Sequence, residues 1–220
     1  MNRELIDISP ILSAKVAVWP GDVPFQRKVA MDIAKGDNLT LSAMETTFHV
    51  GAHADAPNHY HRDGVDIAAR ELSPYLGPCQ VIRVRVPRGE RLGMEVLSGV
   101  SIQAPRVLFS TGSFPNPDHF NEDFNSLSPE LIGALAKSAV VLVGLDTPSV
   151  DPFSSKALES HQALYRNSMA VLEGLVLEHV KPGLYELIAL PLKIQGADAS
   201  PVRAVLRKDF TKDSSDRRAE

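Results

Sequence analysis

The stretch from Phe48 to Tyr60 reads FHVGAHADAPNHY and carries the strongest chemical signal in the chain. It holds three of the seven histidines and one carboxylate, all at odd-numbered positions: His49, His53, Asp55 and His59. Because an extended chain directs alternate side chains to one face, a strand would direct all four the same way. Imidazole nitrogen and carboxylate oxygen are ligands that zinc and related divalent ions prefer. The stretch therefore predicts a metal site.

This stretch cannot be straight if its side chains share an ion. A helix is disfavoured because it would turn Asp55 about 200° from His53 and because Gly51 and Pro57 interrupt helices. A straight strand separates His49 from His53 by about 13 Å, which is too far for two nitrogens on one ion. Glycine tolerates strained dihedrals. We therefore expect a strand that bends at Gly51 and continues into a loop at Pro57.

Length and composition limit the class of protein. The chain has 220 residues, 44% hydrophobic and 23% charged, which fits one globular domain at residues 1–207, followed by a solvated tail at 208–220. The net charge of −4 predicts no nucleic-acid partner. The apolar runs are too short to span a bilayer, and no secretory segment is recognisable, so we expect no membrane partner and a cytoplasmic location. The single cysteine, Cys79, cannot form an internal disulfide and is expected to be a buried thiol.

Hydrophobic periodicity predicts short strands interleaved with short helices. Strands are expected at 4–8, 26–35, 38–48, 80–86, 106–111, 139–145, 169–172, 186–192 and 201–207. Helices are expected at 66–72, 94–99, 128–137, 157–165 and 175–180. Ser128 suits a helix N-cap, and Pro129 suits the first helical position. The alternation predicts a mixed α/β fold built on a rolled sheet or barrel with flanking short helices.

Trp19, the only tryptophan, lies in a loop rich in proline and glycine. It could anchor that loop to the core, or it could form an aromatic wall for a planar substrate, because a ring stacks at low entropic cost. The long loop at 113–125 could likewise be a lid or plain surface. The sequence leaves both pairs of alternatives open.

Four further polar residues have no assigned role. His61 and His119 are expected to lie on the surface. Asp146 and Asp151 follow a buried strand and could orient a metal ligand, or they could simply form turns.

The motif His-x-Gly-Ala-His-x-Asp-Ala-Pro-x-His at 49–59 resembles the metal motif of the cyclase-like metal-dependent hydrolases. Within that superfamily the chain resembles the bacterial kynurenine formamidases, which are arylformamidases. The resemblance covers nearly all of the chain and includes VWPGD at 18–22, LEGL at 172–175, IALPL at 188–192 and DASPVR at 198–203. Ala52 stands where superfamily members often have threonine, a departure that the formamidases share.

The resemblance implies a centre of two Zn²⁺ per subunit, with Mn²⁺ as an alternative metal. His49 and His53 would bind one zinc, Asp55 would bridge both ions, His161 would bind the second, and Glu173 would bind at the shared edge. In one straight helix, His161 and Glu173 would lie about 18 Å apart. They can converge only if the chain turns between them, and the helical pattern breaks at Asn167.

The resemblance also implies a swivelling β/β/α fold and a homodimer. Trp19 would contact the substrate, and His59 would be the acid/base. The expected reaction is the hydrolysis of N-formyl-L-kynurenine to L-kynurenine and formate, a step of tryptophan degradation through kynurenine, with zinc-bound hydroxide as the nucleophile.

Two other functions stay open at this point. One is a related hydrolase that opens a cyclic amide such as isatin, with one Mn²⁺. The other is a non-catalytic module in which zinc only holds the loops together. Structural zinc sites are normally closed by four cysteine or histidine ligands, whereas the implied site includes two carboxylates, Asp55 and Glu173, and has a spare histidine.

Overall fold

The computed structural model describes residues 4–208. The strands are β1 (Leu5–Asp7), β2 (Gln26–Met31), β3 (Leu41–Glu45), β4 (His53–Asp55), β5 (Leu76–Arg83), β6 (Arg91–Leu92), β7 (Arg106–Ser110), β8 (Ser126–Leu127), β9 (Leu142–Leu145), β10 (Ala170–Glu173), β11 (Gly183–Ile188), β12 (Ala199–Pro201) and β13 (Val205–Arg207). The α-helices are α1 (Pro129–Lys137) and α2 (Glu159–Arg166). Single 3-10 turns lie at Ile33–Lys35, Pro57–His59, Ile67–Ala69, Ser73–Tyr75 and Met94–Leu97.

Among residues 4–208, nine strands form one curled sheet in the order β1-β13-β11-β5-β7-β9-β10-β4-β12. The central strands β5, β7, β9 and β10 run parallel, whereas β4 is antiparallel to both β10 and β12. The strands β2 and β3 form a separate two-stranded ribbon. The predicted mixed α/β fold on a rolled sheet is confirmed. No helix of the described chain is long and apolar enough to cross a membrane.

Each face of the sheet carries its own hydrophobic core, because side chains alternate along every strand. On β7, Val107 and Phe109 pack in the core that the helices cover, while Leu108 packs in the core on the opposite face. The helix α1 contributes Leu131 and Leu135 to the first of these cores. The central strands are buried on both faces for this reason, as parallel strands usually are.

The helix α1 begins where the sequence predicts. The Ser128 hydroxyl accepts a hydrogen bond from the backbone N–H of Leu131 at 3.1 Å, which satisfies one of the free donors of the first turn. Pro129 occupies the first helical position, where its missing N–H costs nothing. The predicted helix at 157–165 is also present, as α2.

The predicted helix at 175–180 is wrong. Leu175 donates its backbone N–H to the carbonyl of Leu145 at 3.1 Å, and Val176 donates to the carbonyl of Ile8 at 2.9 Å. Residues 175–177 therefore lie extended between two neighbours, and a turn follows, in which Val180 donates its backbone N–H to the carbonyl of Leu177. Six residues are too few for a helix to be stable by itself, so long-range pairing outweighs the local preference.

The other predicted strands each overlap an observed strand, with shifted ends. β5 begins at Leu76 rather than at residue 80, because the segment predicted as a connector pairs with β11 from Leu76 onward. β9 begins only at Leu142, since Ala139 has a left-handed φ of 59° that breaks the apolar run. The predicted tail at 208–220 lies outside the described residues except for Lys208.

Two glycines allow the loop before β4 to approach the end of β10. Gly51 and Gly174 both have positive φ, of 60° and 65°, where glycine alone is unstrained. A methyl group on Gly174 would overlap the carbonyl oxygen of Gly51, and the carbonyl carbon would be 2.8 Å away. The two backbones therefore meet at a distance that no side chain permits.

We expect Gly174→Ala to lower the free energy of unfolding by about 3 kcal/mol or more, because it adds a backbone clash to the left-handed strain. Gly99→Ala is the matched control, since Gly99 has a φ of 72° with nothing within 4 Å of an added methyl group. That control should cost about 1 kcal/mol from strain alone. Denaturant unfolding of both variants measures the difference, and equal losses would show that the approach of Gly51 to Gly174 tolerates a side chain.

Candidate metal centre

The strand β4 brings His53 and Asp55 into the middle of the site. It lies between β10 and β12, with His53 directly opposite Glu173 and Asp55 opposite Ala199. Directly opposed residues of an antiparallel pair project on the same face. His53, Asp55 and Glu173 therefore lie on one face, while Ala54 between them packs into the apolar core.

The predicted bend at Gly51 is present and returns His49 to the same place. The rings of His49 and His53 have centroids 5.0 Å apart, and His49 Nδ1 lies 3.1 Å from Asp55 Oδ1. The chain then turns at Pro57, in a short 3-10 turn rather than an irregular loop, and ends that turn at His59. The ring centroid of His59 lies 4.2 Å from that of His49.

His161 reaches the cluster from the first turn of α2. Asp151 accepts hydrogen bonds from the backbone N–H of His161 at 3.0 Å and from its Nδ1 at 2.8 Å. These bonds direct the other ring nitrogen, Nε2, toward Asp55 Oδ2 at 3.3 Å and Glu173 Oε1 at 3.5 Å. The structure thus brings His161 and Glu173 together, with the chain turning between α2 and β10.

The two carboxylates each divide their oxygens between two groups of imidazoles. Asp55 directs Oδ1 toward His53 Nε2 at 3.4 Å and Oδ2 toward His161. Glu173 directs Oε2 toward His53 Nε2 at 3.3 Å and Oε1 toward His161. Both acids therefore lie between the His53 side and the His161 side of the cluster, as bridging ligands would.

The chemistry of this donor set fits a divalent cation. His53 Nδ1 lies 2.9 Å from the carbonyl of Gly51, which can only accept, so Nδ1 carries the proton and Nε2 presents a lone pair. Among the described residues, His53 Nε2 and Asp55 Oδ1 are buried without a hydrogen-bond partner although they lie 3.4 Å apart. Two ligands that are each 2.0–2.1 Å from a tetrahedral zinc lie about 3.3 Å apart. A cation between them would turn a repulsive contact into an attractive one.

Two sets of three residues have ligand atoms within 4.8 Å of one another: His53, Asp55 and Glu173, and His49, Asp55 and His59. The first set is fully buried, whereas His59 makes the second more open. Asp55 belongs to both. The described part of the chain therefore holds candidate metal sites at the stretch where the sequence predicts one.

Charge balance in the cluster also favours a cation. Burial alone would raise the pKa of Asp55, but the imidazoles of His49 and His161 hold it well below its usual range. Burial likewise opposes charge on His49, yet Asp55 and Asp198 raise its pKa to about 10. The pKa of His161 is raised against burial by Asp151 and Asp55. The carboxylates thus require compensating positive charge, which protons on imidazoles or a bound divalent ion can supply.

Asp198 is a member of the site that sequence reasoning missed. Its Oδ2 lies 3.2 Å from His49 Nε2 and 3.5 Å from His59 Nδ1, and the hydrogen bond from His49 lowers its pKa to about 2. Asp198 precedes β12, which pairs with β4. Only that pairing brings the acid to the histidines, so the spacing along the chain carries no signal for it.

The structure separates the other polar candidates. Asp151 accepts a hydrogen bond from the ring of His161, whereas Asp146 accepts hydrogen bonds from Thr111 and Gly112 in a neighbouring loop. His61 stacks on Tyr165, with ring centroids 3.7 Å apart. His119 is exposed.

A cavity of about 470 Å³ opens onto the cluster. The polar part of its wall includes His49, His53, His59, His161 and Glu173, together with Asp22 and Ser149. The apolar part includes Trp19, Phe114, Pro117, Phe120, Leu158 and Leu175. Burial lowers the pKa of His59, against the attraction of Asp55, which favours the neutral imidazole beside the cavity.

The position of Trp19 is compatible with both interpretations, and its contact with a substrate stays a prediction. Its ring packs against Phe153 and Phe120, with centroids 5.0 and 5.5 Å away, and it also lines the cavity. Phe120 comes from the long loop at 113–125, whose Pro117 carbonyl accepts a hydrogen bond from the backbone of Ala17 at 2.8 Å. The two loops together form the aromatic wall.

Comparison with known solved structures shows that this architecture is shared. A structure described as a potential metal-dependent hydrolase with cyclase activity superposes with a TM-score of 0.80 at 24% identity, covering 94% of this chain and 98% of that one. An isatin hydrolase bound to the product analogue thioisatinate also gives a TM-score of 0.80, at 20% identity, covering 93% of this chain and 92% of that one. At these identities the likeness concerns the fold.

Curated relatives match over almost the whole chain. The kynurenine formamidase of Bordetella petrii is 44% identical over 206 residues, covering 94% of this chain and 99% of that protein. The kynurenine formamidase of Geobacillus thermodenitrificans is 41% identical over 209 residues, with the same coverage. The model of the Cyclase family, described as "Putative cyclase", matches residues 6–152. Together with the fold and the cluster, these matches show that the chain belongs to the Cyclase family, with kynurenine formamidases as its relatives.

Proposed function

We propose that this protein is an arylformamidase that hydrolyses N-formyl-L-kynurenine to L-kynurenine and formate. One observation carries the proposal: the carboxylate-imidazole cluster faces an aromatic-walled cavity in a chain 44% identical to a kynurenine formamidase over 94% of its length. The cavity of about 470 Å³ is in the range of small-molecule sites. The reaction would belong to tryptophan degradation.

The metal ligands are part of the proposal. His49 and His53 would hold one ion and His161 the second, with Asp55 and Glu173 shared between them. Two Zn²⁺ per subunit is the proposed content, with Mn²⁺ as the alternative, because nitrogen and oxygen donors suit both. When bound, such ions supply the Lewis acidity that generates a hydroxide-like nucleophile from water at neutral pH and stabilises developing negative charge on oxygen.

His59 would move the proton that the reaction requires. The aniline nitrogen must be protonated before it leaves, and His59 lines the cavity with its side chain 32% exposed. Its Nδ1 faces Asp198, so Nε2 is the nitrogen available to the substrate. A neutral imidazole can accept a proton and return it at pH 7.

Trp19 would bind the aryl ring of the substrate. The ring of Phe120 packs against the indole edge to face, and the ring of Phe153 packs against it at a tilt. Because these contacts already fix the orientation of Trp19, binding a substrate would cost little further side-chain freedom. A rigid aromatic face at the cavity wall favours an aryl formamide over an aliphatic one.

Hydrolysis of a cyclic amide such as isatin is the second candidate, and the shared fold of the isatin hydrolases favours it. A non-catalytic zinc module is disfavoured, because structural sites are normally closed by cysteine and histidine, whereas this cluster faces an open cavity.

The deciding experiment measures turnover by the purified protein, alongside its metal content. Absorbance follows N-formyl-L-kynurenine and isatin, and release of formate follows the aliphatic N-formylglycine. We expect N-formyl-L-kynurenine to be the preferred substrate. We expect Trp19→Ala to reduce the preference for it over N-formylglycine by about tenfold, through an increase in KM.

A chelator should abolish turnover while the far-UV circular dichroism persists. Preference for isatin would instead support the second candidate.

We expect His161→Ala and Glu173→Gln to lower the metal content, because each removes a donor from the buried cluster. Elemental analysis of the purified variants measures it. His119→Ala is the matched control, since it removes an exposed histidine outside the cavity wall. Full occupancy in both cluster variants would refute the two-metal proposal.

We expect His59→Ala to retain its metal and to lose about 10²–10⁴-fold in kcat, the usual contribution of a positioned acid/base. His61→Ala, which removes the neighbouring histidine stacked on Tyr165, should change kcat little. Loss of metal from His59→Ala would instead make His59 a ligand, as its position near His49 and Asp55 also allows.

A cytoplasmic location and a homodimer complete the proposal. The free, buried thiol of Cys79 suits a reducing compartment. The β2–β3 ribbon exposes the apolar side chains of Val29, Leu41 and Met44, which a second subunit could cover. Light scattering of the purified protein gives the subunit number, and a monomeric mass would exclude the dimer.

A further inference from the structure

Arg91 makes a dense set of contacts behind the candidate metal centre. Its Nη1 donates to Ser160 Oγ at 2.6 Å, to the carbonyl of Leu127 at 2.8 Å and to Asp151 Oδ1 at 3.1 Å. Its Nη2 donates to Glu159 Oε2 at 2.8 Å. The guanidinium thus joins β6 to β8, to the loop after β9 and to α2, yet Arg91 is not part of the cavity wall.

Asp151 connects Arg91 to the cluster. Its carboxylate is buried and takes one hydrogen bond per oxygen from the backbone at the start of α2, from Ser160 to Oδ1 and from His161 to Oδ2. Oδ1 also accepts from Arg91, and Oδ2 accepts from His161 Nδ1. The guanidinium and the imidazole therefore hold opposite oxygens of one carboxylate.

We infer that Arg91 is a positioning residue for the second metal ion, acting through Asp151 on His161. Arg91 Nη1 holds Oδ1 of the Asp151 carboxylate, and the fixed geometry of the guanidinium is itself set by the Leu127 carbonyl and by Glu159. With Oδ2 held by His161, the plane of the carboxylate is fixed. That plane sets the proton on His161 Nδ1 and the direction in which Nε2 faces Asp55 and Glu173. This inference rests on the proposed two-metal centre.

A purely structural role for Arg91 makes a different prediction. Without the guanidinium, Asp151 would retain only hydrogen bonds from α2, from Ser160 to Oδ1 and from His161 to Oδ2, so nothing outside α2 would hold its carboxylate in place against the imidazole. A structural role would lower stability and leave metal affinity unchanged. A positioning role lowers the affinity for the ion bound by His161, whatever happens to stability.

The test measures Zn²⁺ affinity of the full chain by competition with a chelating indicator. We expect Arg91→Met to weaken binding of one of two ions by about 10–100-fold, the usual effect of removing an outer partner of a metal ligand. Arg91→Lys should recover part of the loss, because lysine keeps the charge but not the fork. Arg88→Met, which breaks the exposed pair with Asp123, is the matched control and should bind both ions as the unmodified chain does.

The visible absorption spectrum of the Co²⁺-substituted protein provides a second measurement, because the intensity of the absorption bands depends on the ligand geometry around the ion. We expect Arg91→Met and Arg91→Lys to change this spectrum and Arg88→Met to leave it unchanged. Wild-type affinity and spectrum in both Arg91 variants would overturn the inference while leaving the proposed function intact. If Arg91→Met does not fold, wild-type affinity in Arg91→Lys alone overturns it. An unmodified chain that binds no Zn²⁺ would instead overturn the two-metal proposal itself.

Discussion

The antiparallel pairing of β4 with β10 is the constraint on which the site depends. β4 has only three residues, and its register places His53 opposite Glu173. A slip of one residue would turn His53 and Asp55 into the apolar core and bring Ala54 to the cavity side. The burial of Ala54 and the close approach of Gly51 to Gly174 both oppose that slip.

The second requirement on the same strands is that the charge of their buried carboxylates be compensated. Asp55 and Glu173 are both buried, and their carboxylate oxygens face mainly imidazole nitrogens. The one backbone hydrogen bond to these oxygens among the described residues is donated by the N–H of Val150 to Glu173 at 2.7 Å. Buried carboxylates are costly unless positive charge compensates them. The fold thus holds two mutually repelling acids side by side among imidazoles, and it leaves one side of that group open to a cavity.

The sequence could predict what local pattern determines. The bend at Gly51 and the cap at Ser128 follow from the preferences of neighbouring residues, and the structure shows both. The strand predicted around Gly51 is present only at His53–Asp55, because His49 lies in a turn and His59 in a 3-10 turn. The sequence could not predict Asp198 or Arg91, because both reach the site only through strand pairing and helix packing. The extended conformation at 175–177 was missed for the same reason, since hydrogen bonds to Leu145 and Ile8 decide it.

The strand order has a consequence for biosynthesis. The cluster combines His49, from the first quarter of the chain, with Glu173, from the last quarter. Asp198 is synthesised later still and lies next to the edge strand β12. A ribosome-bound chain that ends before β10 can offer the early histidines but neither the second shared acid nor the pairing that aligns them. If the cluster binds ions as proposed, their stable loading must follow synthesis of nearly the whole polypeptide, and occupancy would then report that folding is complete.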